Sequence, residues 1–210
     1  VHVGGVFGSA SNATASACDA LLSGDIEISS NVADGTTNVN VGGVCGKSGM
    51  LTAGCHAEWT ESAHVKIASD RSNFGGVTGL TQAESNYAFL VGCYALCKGR
   101  VEIEPKNGTD YTANAGGIAG TLANSTIAGC TVKAKNIYGH NASSPALIGV
   151  SGIAAYVVGV SSVSDCKAYA TLIRNSTVLG TEDASVTPDN LFGMGMIVGI
   201  DAGTTTVTNC

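Results

Sequence analysis

One phrase recurs along this chain and limits what it can fold into. The stretch GGIAGTLANSTIAGC, Gly116 to Cys130, is matched almost position for position by GGVFGSASNATASAC (Gly4 to Cys18) and GGVCGKSGMLTAGC (Gly42 to Cys55). A copy with a longer middle, GGVTGLTQAESNYAFLVGC, runs from Gly75 to Cys93. Two worn copies close the series, IGVSGIAAYVVGVSSVSDC (Ile148 to Cys166) and FGMGMIVGIDAGTTTVTNC (Phe192 to Cys210). The terminal cysteines stand at 18, 55, 93, 130, 166 and 210, so the spacing is 37, 38, 37, 36 and 44 residues. A steady period of this size marks a stacked architecture, because one unit cannot bury its apolar face without a neighbour.

Composition narrows the kind of stack. With 44% hydrophobic and 12% charged residues the chain is too apolar for disorder. No window carries a sustained helical stripe, whereas short alternating runs are common: VHV (1–3), DIEI (25–28), NVNV (38–41), HVKI (64–67) and RVEI (100–103). Copies that follow one another in the same direction place equivalent strands parallel and about 4.8 Å apart. The expected fold is therefore all-β, a parallel β-solenoid (β-helix) of about five to six coils in one domain, 1–210. Its repeats fall near 1–38, 39–71, 72–113, 114–145 and 146–189, with a partial copy at 190–210.

Registered positions acquire physical meaning in such a stack. Val6, Val44, Val77, Ile118, Val150 and Met194 are expected in one inward column, and Ala20, Ala57, Ala95, Val132 and Ala168 in another. The glycine pairs Gly4–Gly5, Gly42–Gly43, Gly75–Gly76 and Gly116–Gly117 mark a corner that needs either positive φ or close backbone approach. In the worn copies Gly149 and Gly193 are expected to be the surviving member of each pair. Outward on the DIEI, HVKI and RVEI strands, Glu27, Lys66 and Glu102 are expected to form a ladder of alternating sign.

The pattern GG-(V/I)-x-G, a small polar spacer, then (I/L/V)-x-G-C-x-A resembles the GLUG motif, through GGVCG at 42–46 with CHA at 55–57, GGVTG at 75–79 with CYA at 93–95, and GGIAG at 116–120 with CTV at 130–132. The period here is longer than in GLUG repeats. That motif recurs in large secreted and cell-surface proteins of bacteria, including adhesins and IgA-peptidase-like proteins. The resemblance implies a surface solenoid without enzymatic residues of its own, and names no ligand.

Eight cysteines invite disulfide or zinc readings. Six of them, Cys18, Cys55, Cys93, Cys130, Cys166 and Cys210, share one repeat slot and are expected as a buried column of free thiols. Side chains pointing the same way from parallel strands strain the torsion a disulfide needs. No Cys-x-x-Cys occurs, and no metal or cofactor is expected.

Other motifs dissolve into the repeat. GGVCGKS (42–48) is one residue short of a phosphate-binding loop and is simply the second copy. The uncharged run 146–164 approaches membrane-spanning length, but its repeat slots predict a pair of buried strands and no membrane span. The net charge of −6, with only 10 Lys and Arg, argues against a nucleic-acid partner. The sequons at Asn12, Asn107, Asn124, Asn141 and Asn175 lend weak support to secretion.

Catalytic convergence is not evident. His2, His56, His64 and His140 share no slot. Asp19, Asp25, Glu58 and Glu61 are the clustered acids that a glycan-cleaving β-helix would use, with Trp59 and Tyr94 as a sugar-stacking surface; their plain alternative is an exposed polar face. Neither end supplies a polar cap. That predicts a segment of a longer solenoid, or molecules stacked end to end.

Three functions follow as expectations: a non-enzymatic adhesin-like stalk or display surface, a head-to-tail filament subunit, or a glycan-active enzyme. The first is preferred. It carries an extracellular or cell-surface location and a host or neighbouring-cell glycan or protein as partner.

Overall fold

A computed structural model describes residues 1–29, 38–83, 87–105, 111–140, 146–175 and 191–210. Among these, all regular structure is β, in 25 strands, and every pairing between them is parallel. The protein is a parallel β-solenoid, as its period requires. No helix among the described residues is long and apolar enough to cross a membrane.

Each coil visits four sheets in turn. The first is six strands deep: His2–Gly4, Asn38–Gly42, Arg71–Gly75, Tyr111–Gly116, Ala146–Ser151 and Leu191–Gly195. The second stacks Phe7–Ala10, Cys45–Ser48, Thr78–Gln82, Ala119–Ala123, Ala154–Val158 and Val198–Asp201. The third runs from Thr14–Ser16 to Thr204–Thr208. In the fourth, two short strands per coil (Asp19–Leu22 with Asp25–Ser29, His56–Trp59 with His64–Ser69) merge into the single long strands Tyr94–Pro105, Thr131–His140 and Lys167–Asn175. Register shifts at Cys97/Arg100 and Ala134/Ile137 mark where the separate strands became one. The uncharged run 146–164 lies in three strands on three sheets, one more than the two expected.

Period-two alternation fills the interior. Val39 and Val41 pair with Ser72 and Phe74, and these with Ala113 and Ala115, all buried. On the fourth sheet Val65 and Ile67 stack on Val101 and Ile103. Buried hydroxyls bond locally, Ser48 with Thr52 at 2.9 Å and Thr78 with Thr81 at 2.7 Å, so they cost little inside the core. At both terminal rungs the interior columns emerge: Val6 is 39% and Val207 46% exposed.

The structure refines the corners in two ways. First, of the two reasons expected for the glycine pairs, close approach is the one that excludes a side chain there, and positive φ does not apply. A Cβ on Gly43 would lie 2.2 Å from the Gly76 carbonyl oxygen and 2.4 Å from Ala57 Cβ, and one on Gly76 would lie 2.1 Å from Gly117 O and 2.7 Å from Ala95 Cβ. The second glycine of each pair thus faces the residue two after the cysteine, Ala20, Ala57 and Ala95 in the first three copies and Val132 in the fourth, and has no room for a side chain of its own. The left-handed residue sits instead just before each column cysteine: Ala17, Gly54, Gly92, Gly129, Asp165 and Asn209, with φ between 49° and 62°.

Second, the last two copies are offset by three residues. Gly116 pairs with Ser151, and Ser151 with Gly195. The column of Val44, Val77 and Ile118 therefore continues through Ile153 and Ile197, joined by backbone bonds from Ile118 N to Ile153 O and from Ala154 N to Ile197 O. Val150 and Met194 belong to the neighbouring column of Val41, Phe74 and Ala115. The surviving corner glycines are Gly152 and Gly195, not Gly149 and Gly193. A Cβ on Gly152 would lie 2.3 Å from Met196 O and 2.5 Å from Ala168 Cβ, the same squeeze that fixes the earlier copies.

Candidate functional site

Where the first and second sheets meet, their outward rows face each other across a groove of about 810 Å³. One wall carries the residue two before each glycine pair: His2, Asn40, Asn73 and Asn114, in register on successive rungs. The opposite wall carries Lys47, Leu80, Thr121 and Tyr156, also in register. Arg71, Gln82 and Thr112 stand on the rim.

The asparagines form a continuous amide ladder. Asn114 Nδ2 donates to Asn73 Oδ1 at 3.0 Å, Asn73 Nδ2 to Asn40 Oδ1 at 2.8 Å, and Asn40 Nδ2 to His2 Nδ1 at 2.9 Å. Thr121 joins from the other wall, donating to Asn73 Oδ1 at 2.6 Å and accepting from Asn114 at 3.2 Å. Asn40, Asn73 and Asn114 are buried although they point out of the solenoid. Burial makes these bonds stiff and costly to break. The ladder was legible as Asn-x-Gly-Gly at 40, 73 and 114, and sequence reasoning missed it by attending to the glycines alone.

A second cluster forms on the fourth sheet, where His64 and His140 meet. Buried Glu102 lies 2.9 Å from His64 Nε2 and 3.3 Å from His140 Nε2, and accepts a further bond from Arg100 Nη2. The Arg100 guanidinium lies 4.4 Å from the centre of the Tyr138 ring. The expected ladder registers as drawn, Glu27 beside Lys66 beside Glu102. Lys66 binds Glu27 at 3.0 Å, while Glu102 turns to the histidines and arginine.

Burial alone would raise the Glu102 carboxyl, but the bond from His64 and the charges of Arg100 and His140 outweigh it and hold the carboxyl below its ordinary range. A carboxyl depressed on folding adds stability above its unfolded value of about 4.3 and loses it as pH falls through the lower folded value. Glu102→Gln is expected to cost about 1–3 kcal/mol at pH 7, a deficit that shrinks toward pH 3. Urea unfolding of both proteins at the two pH values checks this, and a deficit independent of pH would refute it.

Three of the four clustered acids are tied to bases on other coils: Asp19 to His56 at 3.5 Å, Glu58 to Lys98 at 2.6 Å and Glu61 to Lys135 at 3.2 Å. Asp25 pairs in register with His64. Trp59 offers no sugar-stacking face. It is buried, its indole N–H donates to Gly76 O at 3.1 Å, and its ring packs 5.2 Å from Phe74. Tyr94 is half-buried, 5.1 Å from the His56 ring. The GGVCGKS stretch is strand and corner, not a phosphate cradle ahead of a helix. Of the sequons, Asn12 and Asn124 are exposed, Asn124 accepting from Val160 N at 3.1 Å. Asn107 and Asn141 lie outside the described residues, as does the side chain of Asn175.

All eight cysteines are free. Cys55, Cys93, Cys130 and Cys166 are buried in one column, with Cys18 half-buried and Cys210 exposed at its ends. Each thiol donates to the carbonyl two residues back, as Cys55 does to Ala53 at 3.4 Å and Cys93 to Val91 at 3.5 Å, bracing the left-handed corner. Off the column, burial pushes the Cys45 and Cys97 thiols up to about 12. Among the described residues no three of His, Cys, Asp and Glu are grouped to hold a metal ion. Thiol titration is expected to find eight reactive groups in the unfolded chain without reductant, with Cys210 reacting fastest in the folded one. Fewer than eight would mean that some pair has oxidised.

Comparisons with protein-family models, with curated proteins and with solved structures each return no match.

Proposed function

We propose that the chain is a non-enzymatic repeat module of an extracellular or cell-surface protein, a stiff spacer that displays a binding surface in the manner of an adhesin. The observation that carries this reading is the use of charge. Glu27, Glu58 and Glu61 each pair with a lysine on another coil, so carboxylates that hydrolysis would need are engaged in fastening the stack. The GLUG-like repeat supports a surface location, and a groove lined with amides and hydroxyls supports recognition. A glycan array combined with a pull-down on the purified chain tests the reading, with product release followed in parallel. Retention of a glycan or surface protein without turnover is the expected result. Release of new reducing ends would move the chain to the enzyme class, and end-to-end polymers that bind nothing would favour the filament subunit.

A further inference from the structure

The groove between the first two sheets differs in charge from the rest of the molecule. The chain carries a net −6, yet the described lining of the groove includes His2, Lys47 and Arg71 and contains no Asp or Glu. Its opposite wall presents one side chain per coil over four successive rungs, Lys47, Leu80, Thr121 and Tyr156. At the spacing of parallel strands that row is about 14 Å long.

We propose that this groove binds an extended, carboxylate-bearing oligosaccharide laid along the stack, with the acid held by Arg71 and Lys47. The proposal rests on the reading of the chain as a display module, and adds the site and the ligand class. The groove is built from sheet faces, whose backbone groups are spent on the rungs above and below. A peptide cannot join it as an added strand, and Leu80 and Tyr156 are a thin apolar offering for side-chain anchors. Sugar hydroxyls, which both donate and accept, match Gln82 and Thr112 on the rim. The guanidinium of Arg71, exposed on the rim, suits a carboxylate in two-pronged geometry, and the half-buried Tyr156 ring offers an apolar face to a pyranose. The buried asparagine ladder serves as the floor. Its side chains already bond to one another, so little freedom remains to be lost on binding.

Calorimetric titration of the whole chain with a galacturonate trisaccharide, a sialylated trisaccharide, neutral maltotriose and a short polyglutamate peptide tests this. One or both acidic sugars are expected to bind at least about tenfold more tightly than maltotriose, with affinity falling as salt rises. Which acid binds identifies the source of the carboxylate. Lys47→Ala with Arg71→Ala is expected to weaken that binding about tenfold or more. Arg71→Gln alone, at an exposed position, serves should the double variant melt early. Equal affinity for maltotriose, equal affinity for the peptide, or no acidic sugar bound would each overturn the proposal. Acidic-sugar binding untouched in folded variants would also overturn it, by placing the site elsewhere while leaving the display reading intact.

Discussion

Gly76→Ala is expected to cost about 3 kcal/mol or more, enough to threaten the folded state of the whole stack. The added methyl would sit 2.1 Å from the Gly117 carbonyl oxygen, 2.7 Å from Ala95 Cβ and 3.1 Å from Cys97 Sγ. The first obstacle is backbone, held in place by the hydrogen bond Gly76 N itself makes to Gly116 O at 3.2 Å, so it cannot swing aside as a side chain tip would. Gly92→Ala is the matched comparison. Its φ is +60° and nothing lies within 4 Å of where its methyl would stand, so only the left-handed conformation is penalised, by about 1–2 kcal/mol. Urea unfolding of the two variants separates crowding from strain. Equal losses would mean that the glycine pairs are kept for conformation after all.

Trp59→Ala is the second large effect, at about 3–5 kcal/mol. The indole is the largest fully buried side chain, and it occupies a column whose other members are Leu22, Cys97, Ala134 and Ala170. It fits there because Gly43 and Gly76 leave the opposite corner bare; a Cβ on Gly43 would lie 3.0 Å from the indole nitrogen. Removing it empties a space that rigid glycine corners cannot close, and leaves the Gly76 carbonyl without its indole donor. Trp59→Phe keeps part of the packing and loses the bond, so its denaturation midpoint is expected between the other two. A Trp59→Ala midpoint equal to wild type would show that the cavity collapses without cost.

The stack, its strand direction and the register of the first four copies could be read from the chain because each uses one unbroken phrase from glycine pair to cysteine. The fifth copy could not. GVSG at 149–152 offers two frames, and the sequence alone prefers the one that keeps an early glycine. What decides is the Cβ at Ala168, which tolerates only Gly152 beside it, a contact between residues 16 positions apart. The Glu102 cluster was hidden for a related reason. Glu102 is in register with Tyr138, and His140 stands two residues beyond it on the same strand, so the side chains of Glu102 and His140 meet diagonally. Slot-by-slot alignment compares positions, and cannot see diagonals. The asparagine ladder was open to the same alignment, and only attention to outward positions was lacking.

In every sheet the hydrogen bonds run from coil to coil, parallel to the long axis of the stack. Tension applied between the two ends therefore pulls each rung straight off its neighbour, loading only the bonds of one interface at a time. A coil that detaches releases about 37 residues of chain, a gain of roughly 120 Å in contour length for about 4.8 Å of folded height. Such a chain would act as a shock absorber, lengthening in coil-sized steps under load. Single-molecule stretching is expected to give a sawtooth with that increment, whereas one rupture of the whole stack would show that the coils yield together.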